Sequence, residues 1–349
     1  MQQDYPFLRA CRSQPVERVP VWLMRQAGRY MAEYRTLRQK HSIIEICKTP
    51  ELAAEVTLQP INRFDLDAAI IFADILLPLE PLGVGFHFAK GEGPVIERPV
   101  RTPADVDALI PFDPAKEMSY VMEAIRIVRH ELEGNVPLIG FAGAPFTLAS
   151  YMIEGGSSRH YIEMKSFMYA QPDAWDRLMT IVRRVTRDYL AAQIEAGAQA
   201  IQLFDSWVGA LSPEDYREFV LPHSAWLLQE LADYDVPRIH FGTGTATLLQ
   251  AMKAAGGEVI GVDWRVPIAK AREIIGREFA VQGNLDPALL LAPRDLLVAR
   301  VKGILAQANP MQGYIFNLGH GVLPPTPMEN VDAVIETVHA YGSGGSREG

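Results

Sequence analysis

Short apolar runs recur along the chain, and stretches with helical spacing separate most of them. Eight runs have strand length: 68–72, 95–97, 136–141, 200–204, 238–241, 259–262, 280–283 and 314–316. Helical patterns cover 50–63, 116–133, 173–196, 213–234, 245–255, 266–272, 294–308 and 328–340. This alternation of strands and helices predicts an α/β fold with a parallel sheet.

Residues that could bind a ligand or take part in chemistry lie at the C-terminal ends of almost all predicted strands, and their position favours a closed barrel over an open, doubly wound sheet. They are Asp74, Gly143 to Pro145, Asp205 with Ser206, His240, Asp263, Asn284 with Asp286, and Asn317 with His320. In a barrel the C-terminal ends of the strands meet at one mouth, where barrel enzymes place their chemistry. An open sheet would spread the same residues along an edge. We therefore predict a (β/α)8 TIM barrel with its active site at the C-terminal mouth of the strands.

The chain carries no low-complexity linker between its elements, which predicts a single domain over residues 1–341. A Gly- and Ser-rich segment at 342–349 predicts a flexible C-terminal tail. Residues 83–99 contain the turn-forming sequence GEGP at 91–94 and predict a β-hairpin before or within the second strand.

Composition limits the function classes. The 349 residues are 48% hydrophobic and carry a net charge of −9, so a broad basic surface for nucleic acid is not expected. The longest apolar runs are far shorter than a membrane span, and Asp4 and Arg9 interrupt the first ten residues, so we expect no membrane association and a cytoplasmic protein. Cys11 and Cys47 are too few for a disulfide framework and are expected to be buried thiols.

Positive charge is concentrated near the N-terminus of this acidic chain. Residues 1–40 hold eight Lys or Arg against three Asp or Glu. The arginines at 25, 29, 35 and 38 offer planar donor groups that suit carboxylates or phosphates. One interpretation is a solvated basic helix end, with Arg25 and Arg29 on one face. The other is the mouth of a pocket for a small polyanion, which the interleaved apolar residues favour.

Asp74 and Ser206 follow predicted strands and are candidates for the mouth. Asp74 either caps the next short helix or faces the pocket as a carboxylate that accepts several N–H groups. Ser206 is free for the mouth, together with Asp205, because Ser212 and Pro213 already supply the start of the next helix. With no partnering histidine pattern, Ser206 is predicted to form hydrogen bonds and not to act as a nucleophile.

Two further candidates are Tyr151 and His320. Tyr151 lies in a helical pattern, where an aromatic residue belongs to the core or to a pocket wall, and the glycine- and serine-rich loop at 155–158 behind it could form a lid. Glycines flank His320, so its imidazole could approach an anion, although a turn histidine without a role is the alternative. The sequence GTGT at 242–245 is a weak anion-binding pattern before a helix.

Metal chemistry has little support in the sequence. The eight histidines are scattered, and the sequence after His240 lacks the thiolate of a His-x-Cys zinc motif. We therefore predict no metal and no cofactor.

Five sequence blocks resemble the uroporphyrinogen decarboxylase family. They are PVWLMRQAGRY at 20–30, IIFADIL at 70–76, GFAGAPFT at 140–147, QGNLDP at 282–287 and NLGHG at 317–321. The blocks occur in the family's order and spacing, and the resemblance extends to about Tyr341. It implies a barrel enzyme, typically a homodimer, that converts the four acetate groups of uroporphyrinogen III to methyl groups without a metal or cofactor.

The resemblance also implies site residues. The positions that match substrate contacts of the family are Arg25, Gln26, Arg29, Arg38, Asp74, Tyr151, Ser206 and His320. We expect Asp74 to accept the pyrrole N–H groups and to stabilise positive charge, and Arg25 to meet the reacting carboxylate or relay a proton. Trp207 stands where many members carry a smaller or polar residue, so the resemblance does not define the pocket wall at this position.

Three alternatives stay open at this point. A methyltransferase of similar barrel fold would need zinc and a corrinoid, and the missing His-x-Cys pattern counts against it. A non-catalytic tetrapyrrole carrier would use the same arginines and Asp74 but would release no CO₂. A sugar-phosphate enzyme built on His320 would leave the arginine cluster without a role.

Overall fold

Seven of the eight predicted strands form one parallel sheet in the computed structural model, which describes residues 5–89, 93–308 and 312–343. In chain order the strands are β1 (Ala69–Ile70), β2 (Phe86–Ala89), β3 (Gly93–Ile96), β4 (Leu138–Gly143), β5 (Ala200–Asp205), β6 (Arg238–Gly242), β7 (Val259–Gly261), β8 (Ala280–Leu285) and β9 (Tyr314–Leu318). The sheet has the order β1-β4-β5-β6-β7-β8-β9, and every pair is parallel. The predicted α/β class with a parallel sheet is therefore confirmed.

The predicted strand at 95–97 does not belong to this sheet, and that prediction was wrong. Its residues fall in β3, which pairs antiparallel with β2 so that Val95 lies opposite His87. Between β1 and this run the described residues form only a short 3₁₀ helix, Leu77–Leu79, and no α-helix that would make the crossover to a parallel neighbour. The hairpin predicted for 83–99 is confirmed, although Gly91 and Glu92 of its turn lie outside the described residues.

Helices connect the parallel strands. They are α1 (Pro6–Cys11), α2 (Ala32–Lys40), α3 (Ile43–Lys48), α4 (Pro50–Arg63), α5 (Pro103–Asp107), α6 (Pro114–Glu117), α7 (Ser119–Glu131), α8 (Pro145–Glu154), α9 (Ile162–Ala170), α10 (Pro172–Ala196), α11 (Pro213–Phe219), α12 (Leu221–Glu230), α13 (Leu249–Ala255), α14 (Ile268–Ile275), α15 (Arg294–Gln307) and α16 (Met328–Tyr341). The helix predicted at 50–63 is confirmed residue for residue.

The single helix predicted at 213–234 is divided into α11 and α12, because Pro222 lacks an N–H and would clash with the carbonyl one turn earlier. Within the described residues no helix has both the length and the apolar content needed to cross a membrane.

An extended segment near the N-terminus lies between β9 and the residues that lead into β1. Val21 forms a parallel bridge with Phe316, whose N–H donates to the Pro20 carbonyl at 2.9 Å. On the other side the Asp67 N–H donates to the Val21 carbonyl at 2.8 Å, and the Asp67 carboxylate accepts the Val21 N–H at 2.8 Å. The segment thus contacts both edges of the seven-stranded sheet.

Alternation along the strands separates an inner face from an outer face that packs on helices. Residues of the inner face form one buried cluster that includes Trp22, Ile139, Phe241 and Ile315. The C-terminal end of the described chain packs beside this assembly, because the Val19 N–H donates to the Gly342 carbonyl at 2.9 Å. Residues 344–349 of the predicted tail lie outside the described residues.

Candidate active site

The mouth of the sheet opens into a cavity of about 370 Å³. Its walls are mostly apolar, and its polar side chains are few. The lining residues are Met24, Arg25, Gln26, Ala27, Ile70, Ile71, Phe72, Ala73, Asp74, Ile75, Pro94, Phe141, Tyr151, Ser157, Phe204, Ser206, Trp207, Phe241, His320 and Gly321. Six of the eight predicted site residues are therefore brought together. A largely apolar pocket with a few convergent polar groups is the usual form of a small-molecule site.

Asp74 follows β1 and presents its carboxylate to this cavity. One oxygen accepts the Leu76 N–H at 2.9 Å, and the other has no hydrogen-bond partner among the described residues. Burial raises the pKa of Asp74, while the Leu76 N–H and Arg25 act in the lowering direction. The interpretation of Asp74 as a helix cap was wrong, because the short 3₁₀ helix Leu77–Leu79 begins after Leu76 and has no side-chain cap. The Asp74 side chain makes a local turn contact with Leu76, and its role toward a ligand stays a prediction.

Arg25 also lines the cavity and lies on an irregular segment. The stretch that holds it is a series of turns, so the condition for a shared helix face with Arg29 is not met. The Arg25 backbone is left-handed, with φ of 58°. Its side chain is exposed and has no hydrogen bond or ion pair among the described residues. A free guanidinium therefore lines the cavity together with the free oxygen of Asp74.

Gln26 is buried, and its side chain is occupied by backbone partners. Its Oε1 accepts the Leu23 N–H at 3.1 Å, and its Nε2 donates to the Ala68 carbonyl at 3.1 Å. These bonds fasten the arginine segment to the start of β1. Although Gln26 lines the cavity, most of its bonding capacity is thus used to hold the segment in place.

Arg29 and Arg38 do not line the cavity. The Arg29 side chain is exposed, and Arg38 donates to the His41 carbonyl at 2.5 Å. Arg35 donates to the carbonyls of Arg29 and Tyr30 at 3.0 and 2.8 Å, so it stabilises the turn that carries Arg29.

An aromatic wall closes one side of the cavity. Tyr151 of α8 contacts Trp207 at a ring distance of 5.8 Å, and Tyr161 contacts the same indole at 5.9 Å. Burial raises the pKa of Tyr151 to about 12, and the nearby Asp74 charge acts in the same direction. The Tyr151 hydroxyl thus stays protonated at neutral pH and can donate a hydrogen bond.

His320 lies beyond the end of β9 and is also half-buried in the lining. Burial lowers its pKa to about 4, and the neighbouring Arg25 charge adds to that effect. The imidazole is therefore neutral at physiological pH, which makes it a hydrogen-bond donor and acceptor and not a second cation.

Ser206 lines the cavity, whereas the neighbouring Asp205 does not, and the expectation that both face the mouth was wrong for Asp205. Asp205 is fully buried on the outer face, where it accepts the Thr147 hydroxyl at 3.1 Å and lies 3.4 Å from His240 Nε2. The Thr147 oxygen also accepts the Trp207 N–H at 3.3 Å. Asp205 thus supports the aromatic wall from behind.

Several lining residues were not singled out from the sequence. Phe141, Phe204 and Phe241 form the apolar floor and contact one another edge to face. Their signal was present, because each occupies an inward position near the end of its strand. Pro94 and Ser157 come from the hairpin and the loop behind α8, which are joined by a bridge between Val95 and Gly156. Both segments carried a sequence signal, as a hairpin turn and as a possible lid, but the bridge between them joins residues far apart in sequence and could not be predicted.

The loop at 242–245 is not the predicted anion site at a helix start. The Gly244 N–H already donates to the Asp263 carboxylate at 2.7 Å, and α13 begins only at Leu249. Cys11 and Cys47 are buried free thiols, as expected. In the described ranges no three His, Cys, Asp or Glu side chains are grouped closely enough to hold a metal ion.

Comparison with known proteins adds two findings. The family model for uroporphyrinogen decarboxylase (URO-D) matches residues 2–341. The chain is 58% identical to the uroporphyrinogen decarboxylase of Sorangium cellulosum (strain So ce56), over 96% of this chain and 95% of the relative. It is 55% identical to that of Carboxydothermus hydrogenoformans, over 97% and 96%.

Among solved structures, a methyltransferase from Methanosarcina mazei aligns with a TM-score of 0.81 over 96% of this chain and 98% of that chain. At 22% identity this is a likeness of fold alone.

Proposed function

Because this chain belongs to the uroporphyrinogen decarboxylase family, we propose that it converts the four acetate side chains of uroporphyrinogen III to methyl groups, releasing coproporphyrinogen III and four CO₂. One observation at the site supports this proposal. A carboxylate with one free oxygen, Asp74, and an unpaired guanidinium, Arg25, line the same largely apolar cavity. Each step replaces one acetate by a methyl group, so its product carries one negative charge fewer than its substrate.

Asp74 is the proposed electrostatic centre of the reaction. The substrate has four pyrrole N–H groups, and a carboxylate with a free oxygen can accept them together. The apolar side chains of Ile70, Phe72 and Phe241 line the same cavity, so a macrocycle bound against them displaces water and places the negative charge in a low local dielectric, where such interactions are strongest. Asp74 therefore holds the face of the macrocycle and favours any positive charge that develops on it.

Loss of CO₂ requires a place for the electron pair of the breaking C–C bond. A proton added to the pyrrole carbon beside the acetate makes the ring cationic, and the pair from the breaking bond then neutralises it. A second proton at the exocyclic carbon and loss of the first restore the pyrrole with a methyl group. The net change consumes one proton and releases one CO₂. Asp74 stabilises the cationic ring, so it lowers the barrier without a cofactor.

Arg25 is proposed to meet the reacting carboxylate or to relay the proton. Its exposure at the cavity lining and its free donor groups fit the first role best, since a guanidinium stays protonated under ordinary conditions. The remaining carboxylates extend toward the rim, where Arg29 and Arg38 are proposed contacts. Tyr151, Ser206 and His320 supply neutral hydrogen bonds, and Gln26 contributes beside Arg25.

The closed (β/α)8 barrel belongs to the same proposal. The segment around Val21 would take the eighth position between β9 and β1, which accords with its bridge to Phe316 and its bond from Asp67. A homodimer is proposed from the resemblance, and a single domain over 1–341 and a cytoplasmic location are proposed from the pattern and composition of the sequence. Sedimentation analysis of the purified protein would test the dimer.

The deciding experiment is anaerobic incubation of chelator-treated protein with uroporphyrinogen III, followed by oxidation and chromatography of the porphyrins. The expected result is the series with seven, six, five and four carboxylates. Unchanged substrate with folded protein would reject the decarboxylase and favour a carrier or a corrinoid-dependent methyltransferase. Full activity after chelation would also separate the enzyme from the zinc-dependent alternative.

A further inference from the structure

The turn that carries Arg25 is fixed on both sides. On one side the Met24 N–H donates to Asn317 Oδ1 at 3.0 Å, and the Met24 carbonyl accepts the Val322 N–H at 2.9 Å. On the other side Gln26 holds the start of β1. Between these anchors the Arg25 backbone is left-handed, a conformation that residues other than glycine and asparagine rarely adopt. Such an outlier persists when the surroundings enforce it, and it is common at functional sites.

The Arg25 side chain lies directly on Gly321. A Cβ placed on Gly321 would be 2.4 Å from Arg25 Cδ, 2.6 Å from its Cγ and 3.1 Å from its Cβ. Gly321 itself does not have a left-handed φ, so an alanine there would not strain the backbone. The glycine is therefore needed for space alone. The methylene stem of Arg25 fills that space, and the guanidinium beyond it is directed to the cavity lining.

We infer that Gly321 is a positioning residue for Arg25, and that its missing side chain sets the direction of the guanidinium toward the reacting carboxylate. This inference rests on the proposed decarboxylation. Gly321 belongs to the loop after β9, whereas Arg25 belongs to the N-terminal segment, so the contact joins two distant parts of the chain. The turn around Arg25 fixes where its side chain begins, and the space left by Gly321 fixes the path of the side chain toward the cavity.

The test is a double-mutant cycle of Gly321→Ala and Arg25→Ala. Gly321→Ala alone is expected to lower kcat/KM about 100-fold, the cost of misplacing a catalytic group by about 1 Å. In the Arg25→Ala background the Cγ and Cδ contacts are gone, and Gly321→Ala is expected to change kcat/KM by less than about threefold, which is the non-additivity expected of two residues in contact. An equal loss in both backgrounds would overturn the inference.

A pH profile supplies a readout that a merely structural change would not move. The titratable groups around Asp74 are Arg25, Cys47, Tyr151 and Tyr189, and burial keeps the thiol and both phenols neutral in the acidic range. Arg25 is thus the charged neighbour whose displacement would raise the pKa of Asp74. Gly321→Ala and Arg25→Ala should both shift the acidic limb of kcat/KM to higher pH. A profile of unchanged shape in Gly321→Ala would contradict the inference.

Gly303→Ala is the matched control, because a Cβ there meets no atom within 4 Å and lies on the exposed surface of α15. It should leave activity unchanged.

If the wild-type protein releases no CO₂, the proposed function fails, and anaerobic equilibrium dialysis of uroporphyrinogen III then tests the positioning separately. Gly321→Ala should weaken binding when Arg25 is present and not when it is alanine. Equal binding by the wild type and Gly321→Ala would reject the inference.

Discussion

Asp74 and Asp205 both stand at the ends of parallel strands, and the fold gives them opposite environments. Asp74 faces the cavity and keeps one oxygen free. Asp205 is the last residue of β5, and its carboxylate is fully buried among Thr147 and His240 on the outer face. Asp205 lies within β5, where the alternation of side chains turns it to the outer face, whereas Asp74 lies beyond the two residues of β1 in a turn with Leu76. A free carboxylate suits a ligand, and a satisfied one suits the scaffold.

The largest effect should follow from removing the charge of Asp74. In Asp74→Asn the rate of decarboxylation is expected to fall about 1,000-fold, the upper part of the range for losing one electrostatic stabiliser. Porphyrin chromatography after a timed anaerobic reaction measures it. Near-normal turnover would reject the proposed role.

The same variant should not lose stability, which separates it from Asp205. Burial raises the pKa of Asp74 above that of the unfolded chain, so its ionisation costs stability as pH rises through the interval between the two values. At neutral pH, Asp74→Asn removes that cost, and its thermal unfolding midpoint is expected to equal or exceed that of the wild type. A clear drop would mean that the carboxylate supports the fold.

Asp205→Ala should show the opposite pattern. It leaves the Thr147 hydroxyl and His240 without their buried partner, and we expect the free energy of unfolding to fall by about 3 kcal/mol. Urea denaturation measures this change. Turnover per folded molecule should fall less than in Asp74→Asn. If Asp205→Ala abolished turnover with little loss of stability, the distinction between the two aspartates would be wrong.

The sequence contained much of the fold because its strands are apolar and its helices begin with proline or a capping residue. The helix at 50–63 is marked by Pro50 at its start, and its bounds are predicted without error. The segment around Val21 was not recognised as lying between the edges of the sheet. It is short, begins beside Pro20 and is held by single bonds to Phe316 and Asp67, which no periodicity reveals. The run at 95–97 was instead predicted to be the eighth strand of the sheet.

The site was partly accessible from sequence for a similar reason. Chemistry at the ends of strands pointed to Asp74, Ser206 and His320, and all three line the cavity. For Tyr151 the helical pattern left open whether it belongs to the core or to a pocket wall, and the resemblance favoured the pocket. It was harder to predict which face of the sheet each residue takes. Asp205 and Ser206 are adjacent, and only one of them can face inward. The left-handed backbone of Arg25 and its contact with Gly321 depend on tertiary packing, and the sequence contains no local signal for either.

A pH profile sharpens the contrast between the two aspartates. Asp74 must be ionised to accept the pyrrole N–H groups, so activity is lost as pH falls through its pKa, which burial raises. In Arg25→Ala a lowering influence is removed, and the acidic limb should move to higher pH. The profile of kcat/KM in the two proteins measures the shift. A limb that moved to lower pH would show that the titrating group is not Asp74.

The smallest expected effect concerns the aromatic wall that Asp205 supports from behind and that faces the cavity in front. Tyr151→Phe keeps the ring against Trp207 and removes one hydrogen-bond donor, so kcat/KM should fall about fivefold, equivalent to about 1 kcal/mol. Tyr161→Phe is the control. The Tyr161 ring packs on Trp207, but the residue does not line the cavity, so this substitution should leave kcat/KM unchanged. Since burial raises the pKa of Tyr151 to about 12, its hydroxyl is neutral throughout the working range, and the pH profile of the variant should keep its shape. A loss approaching that of Asp74→Asn would instead make this hydroxyl a participant in proton transfer and would extend the catalytic centre from one wall of the cavity to two.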